Sequence, residues 1–102
     1  MLIKWTESAL DDLAGIQSYI GKDSQFYAKQ FIERIFELVE NLTDFPAIGR
    51  KVPEAADRDD VRELIFQGYR IMYLQQSEQV SILTVIHGSR DLIGMDNKPW
   101  ES

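Results

Sequence analysis

The chain's single histidine, His87, opens the sequence H-G-S-R at the end of a β-favouring run, V-S-I-L-T-V-I. An imidazole titrates near neutral pH and can serve as a general acid or base. Arg90, three residues on, could stabilise an anion forming beside it. Arg70, in G-Y-R-I-M-Y, would add a second guanidinium if folding brought it to the same place. A histidine with two converging arginines suits metal-independent RNA cleavage: a proton shuttle, and two cations for a pentacovalent phosphate. The competing reading is structural. In that reading His87 and Arg90 end a strand, and Arg90 pairs with Asp91 or a helix carboxylate.

Other charged stretches carry weaker chemistry. Gly49-Arg50-Lys51 could form a turn that contacts a target, or a solvated surface. Arg62 is a further target-contact candidate; beside Glu63 it could equally be an edge charge that discourages strand pairing between molecules. Asp57-Arg58-Asp59-Asp60 clusters carboxylates, but the spacing is irregular and no histidine lies near, so no metal site is expected. No cofactor is expected either. Trp5 and Trp100 read as core and tail packing.

Composition bounds the possibilities. The 102 residues suffice for one core, with 44% hydrophobic and 27% charged side chains. The absence of cysteine excludes disulfides and thiolate metal sites. No apolar run reaches the roughly 18 residues of a membrane span, and M-L-I-K-W-T-E lacks a signal-peptide pattern. A cytoplasmic protein without membrane contact is the expectation. The net charge of −6 argues against nucleic-acid affinity through bulk charge. Five basic residues nevertheless fall between Arg50 and Arg70, which allows a local basic patch.

The elements that must position these residues are legible from periodicity. L-I-K-W is a short strand with Trp5 turned inward. Thr6 is a good N-cap, and Ala9, Leu13, Ile16 and Ile20 make the stripe of a first helix that ends at Gly21. Ser24 or Asp23 caps a second helix, with Ala28, Phe31, Ile32, Ile35, Leu38, Val39 and Leu42 on its stripe. The short link makes the pair an antiparallel hairpin closed by Phe45-Pro46. Residues 46–60 read as loop. From Val61, three strands follow with short connections: an antiparallel meander that the first strand joins. The expected fold is α+β, order β-α-α-β-β-β, with a helical hairpin on one face of a small, mainly antiparallel sheet. It forms a single domain over 1–91, with a C-terminal tail over 92–102.

A two-residue turn at Ser77-Glu78 would pair Arg70 with Val85 and Met72 with Leu83. One sheet face would then carry Arg70, Met72, Leu74, Leu83, Val85 and His87. The helices cover only one face, so the other needs the tail or a partner protein to cover it. Met72, Leu74 and Leu83 are the expected partner-binding residues.

Five stretches, in order over residues 3–91, resemble the RelE/ParE superfamily of bacterial type II toxins. They are A-L-D-D-L-A-G-I-Q-S-Y-I, F-P-A-I-G-R-K-V-P-E, V-R-E-L, G-Y-R-I-M-Y and V-S-I-L-T-V-I-H-G-S-R-D. The resemblance implies a cognate antitoxin, bound in a hetero-oligomer, and one of two targets. RelE-like members cut mRNA on the ribosome; ParE-like members poison DNA gyrase. In the nuclease branch Arg70 and Arg90 hold catalytic positions and His87 could replace a missing acid. That branch's basic pair on the preceding strand is here Val61 and Glu63, and no tyrosine follows Arg90. The ParE-like branch is therefore the leading expectation, with a ribonuclease using Arg70, His87 and Arg90 as the alternative and a non-toxic binding module as a third.

Overall fold

A computed structural model describes residues 1–101. Strand β1 (Leu2–Trp5) leads into α1 (Glu7–Gly21) and α2 (Gln25–Glu40), followed by a 3-10 turn over Asn41–Thr43. A two-residue strand β2 (Arg50–Lys51) and a second 3-10 turn (Pro53–Ala55) precede β3 (Val61–Phe66), β4 (Tyr69–Gln75) and β5 (Gln79–His87). The caps act as their side chains dictate. Thr6 Oγ1 accepts the Ala9 N–H at 3.2 Å and Ser24 Oγ accepts the Tyr27 N–H at 3.1 Å. Gly21 was expected just past the end of α1, but it is the helix's last residue and does not adopt a left-handed conformation.

The sheet order is β1-β5-β4-β3-β2, antiparallel except that β1 runs parallel to β5. Both helices lie on one face. Their stripe of Ala9, Leu13, Ile16, Phe31, Ile35, Val39 and Leu42 buries Ile71, Tyr73, Val80, Ile82 and Val85. The β3–β4 turn is Gln67-Gly68 with φ of 48° and 84°. Positive φ at both central residues matches the right-handed twist of a hairpin, and glycine accepts it without strain.

The loop expectation for residues 46–60 missed β2 and the turn after it. Arg50 and Lys51 pair with Glu63 and Arg62, and Pro53 starts the 3-10 turn, where its missing N–H costs nothing. That turn and the tail form a second core on the far face: Val52, Ala55, Val61, Met72, Ile86 and Leu92 are buried there, with Leu74, Met95 and Trp100 packed around them. Packing thus extends past residue 91, since Leu92 is 1% exposed.

Candidate functional site

Register decides what Arg70 and His87 can do together. The turn at Ser77-Glu78 forms as expected, with Gln76 N–H donating to Gln79 O at 2.9 Å and Gln75 opposite Val80. The pairing then runs Leu74 to Ser81 and Tyr73 to Ile82, but Met72 lies opposite Thr84. Leu83 is an extra residue, a β-bulge. Past it every pair shifts by one: Arg70 faces Ile86 and Tyr69 faces His87. The expected pairs of Arg70 with Val85 and Met72 with Leu83 do not form. Because side chains alternate between faces, this slip puts His87 on the helix face and Arg70 on the other.

His87 is exposed. Its ring stands edge-on to Tyr69, with centroids 5.4 Å apart, and Nδ1 lies 2.7 Å from Ser89 Oγ. The Ser89 N–H also donates to Nδ1 at 3.2 Å, which holds that nitrogen as an acceptor. Arg90 is exposed and lies beside α1, in a shallow depression shared with His87, Tyr69, Asp11 and Asp12. Neither residue is among the hydrogen-bond partners of Arg70.

Arg70 is committed elsewhere. Its Nε donates to Glu63 Oε1 at 2.7 Å, while Nη1 and Nη2 donate to Glu54 at 2.9 and 2.7 Å. Glu63 Oε2 in turn accepts from Arg50 Nε at 2.7 Å. The chain Arg50–Glu63–Arg70–Glu54 spans β2, β3, β4 and the Pro53–Ala55 turn. The Glu63 side chain is 0% exposed and that of Arg70 8%. Bonding to Arg70 holds the Glu54 carboxyl below its usual range despite burial, and bonding to Glu54, then Glu63, raises the Arg70 guanidinium. Two carboxylates fill the fork that a phosphate would need, so the three residues proposed as catalytic do not form a site.

The remaining cations of the expected patch are similarly engaged. Lys51 Nζ lies 2.6 Å from Asp59, which lowers that carboxyl, and Arg62 Nη1 donates to the Gly49 carbonyl at 2.9 Å. Arg62 Nε is buried without a hydrogen-bond partner. Gly49 has no room for a side chain, because a Cβ would fall 2.6 Å from the Tyr73 hydroxyl and 2.7 Å from Glu63 O. The Tyr73 hydroxyl accepts the Gly49 N–H at 2.9 Å, and burial raises its pKa. This corner is built for packing.

Of the expected partner-binding residues, Met72 is fully buried by the chain itself under the second core, so it offers no surface. Leu74 and Leu83 remain partly accessible. Glu54 and Asp12 were not singled out from sequence. The only signal for Glu54 was a proline immediately before it. Asp12 Oδ2 accepts from Thr84 Oγ1 at 2.6 Å and from the Val85 N–H at 3.0 Å, covering the edge of β5 that β1 leaves open. Among the described residues no group of histidine and carboxylate side chains could hold a metal, and no helix is long and apolar enough to cross a membrane.

A two-helix hairpin on one face of a mixed five-stranded sheet, with β1 parallel to β5, is the α+β arrangement expected of the RelE/ParE superfamily. Comparisons narrow this further. The family described as "ParE toxin of type II toxin-antitoxin system, parDE" matches residues 3–92. A protein of Sinorhizobium fredii (strain NBRC 101917 / NGR234) named "Putative toxin Y4kP" is 38% identical over 87 residues, spanning 83% of this chain and 85% of that one. A chain from the "Chromosomal ParDE TA system from P. aeruginosa" has the same fold, with a TM-score of 0.71 at 23% identity over 85% of this chain and 95% of its own. The chain belongs to the ParE toxin family of type II toxin–antitoxin systems.

Proposed function

We infer that this toxin acts in the cytoplasm by poisoning DNA gyrase rather than by cutting mRNA, and that a cognate antitoxin neutralises it in a hetero-oligomer. The observation that carries the choice is the clamp on Arg70: its fork is closed by Glu54 and Glu63, and His87 lies across the sheet. An RNA phosphate entering there would meet two carboxylates instead of free guanidinium. The surface supports the same reading. At −6 net charge, with Arg50 and Lys51 paired to acids and Arg62 held to a carbonyl, the chain lacks the counterion-release advantage that RNA docking rewards. The accessible parts of Leu74 and Leu83 are the antitoxin contacts retained in this reading, without Met72.

The test is made in cells induced for the protein. Gyrase-trapped DNA breaks or lost plasmid supercoiling, with intact mRNA, are expected. Codon-phased mRNA cuts that vanish in His87→Ala/Arg90→Ala would make the protein a ribonuclease. Normal growth with neither lesion would leave a binding module without toxicity.

A further inference from the structure

We propose that residues 91–101 form a strap that opens as one unit while the sheet and helices stay folded, uncovering the apolar far face around Met72, Leu74 and Ile86. The neighbouring peripheral elements are tied to the body by hydrogen bonds. β1 pairs with β5, β2 pairs with β3, and the Pro53–Ala55 turn is held through Glu54 and Arg70. On the way to the tail the last such tie is the Gly88 N–H, which donates to Gly68 O at 2.7 Å. Beyond it, among the described residues, no hydrogen bond or ion pair joins residues 91–101 to the rest of the chain. Apolar contact alone holds the strap down, through Leu92, Met95 and Trp100. That contact is incomplete, because a cavity of about 380 Å³ lies between Met95 and Pro99 of the strap and Leu83 and Ile86 of β5.

The strap is preformed. Asp91 Oδ1 accepts the N–H groups of Ile93 and Gly94, and only a glycine fits there, since a Cβ on Gly94 would fall 2.8 Å from Asp91 Oδ2. Lys98 Nζ donates to the carbonyls of Ile93 and Met95, and the Lys98 N–H donates to Glu101. These bonds travel with the strap, so lifting it breaks none of them. The link to β5, Gly88-Ser89-Arg90, is exposed throughout. At rest the strap is closed, as the 1% exposure of Leu92 shows. A segment held by a few apolar side chains and no main-chain bonds belongs to the part of a fold that opens first.

The proposal depends on no reading of the toxin's target, and its test uses the full chain alone. The sequence has no cysteine, so one introduced thiol reports by itself. Leu92→Cys places it in the strap, and Ala9→Cys places it in the helical core, where Ala9 is 0% exposed. Reaction of each variant with an aromatic disulfide reagent is followed across urea concentrations below the melt. Lifting the strap exposes little surface, so the Leu92→Cys rate is expected to stay nearly flat in urea and to exceed the Ala9→Cys rate at least about tenfold in water. The Ala9→Cys rate climbs with the slope of global unfolding. Because Leu92→Cys itself weakens an anchor, the unaltered chain supplies a second reading. Met72 is 0% exposed, and its oxidation by peroxide, read by peptide mass spectrometry, is expected to be as flat in urea as the Leu92→Cys reaction. Equal urea slopes for the two thiols, or Met72 oxidation that rises only along the global slope, would overturn the proposal.

Discussion

Glu63 bridges two arginines with a side chain that water does not reach. Removing Glu63 leaves the Arg70 Nε, on a side chain only 8% exposed, without its acceptor, while Glu54 still holds the other end of the guanidinium. Glu63→Ala is therefore expected to cost about 3–5 kcal/mol in a denaturant melt, whereas an exposed ion pair such as Arg58–Asp60 contributes little. Glu54 gives a pH signature. Its folded pKa lies below the usual 4.5, so its contribution is fully present above the unfolded value and disappears as pH falls through the folded one. Glu54→Gln is expected to cost about 1–3 kcal/mol at neutral pH and progressively less below pH 4.5. Stability curves of variant and wild type that stay parallel down to strongly acid pH would contradict the clamp.

At the scale of elements, the helices were legible because their apolar spacing of three and four has no other use, and the caps Thr6 and Ser24 stand where sequence puts them. The turn at Ser77-Glu78 was legible too. The bulge at Leu83 was not: L-T-V-I reads as uninterrupted strand, and nothing in it marks the residue that leaves the ladder. That one residue moved His87 to the opposite face from Arg70 and dissolved the candidate site. The tail was illegible for another reason. D-L-I-G-M-D-N-K-P-W has no period, because its anchors cover a surface rather than repeat along an axis. Its role is measurable. Leu92 is 1% exposed, and Leu92→Ala is expected to cost about 2–5 kcal/mol, as for an interior leucine. A cost below about 0.5 kcal/mol would mean the tail is no part of the folded domain.

At the scale of the whole molecule, the two sheet faces do different work. One carries the helical core; the other is closed by the 3-10 turn, the tail and the arginine–glutamate chain, which leaves Arg70 no free fork for an anion. Resemblance in sequence ordered the motifs correctly, but only side-chain positions separate a strand end from a catalytic site. Action on gyrase rather than on RNA is tested with purified toxin, gyrase and supercoiled plasmid, alongside a translating extract. Linear DNA trapped on gyrase after detergent and protease treatment is expected, with message left whole in the extract. Cut message with undisturbed gyrase would contradict the gyrase reading.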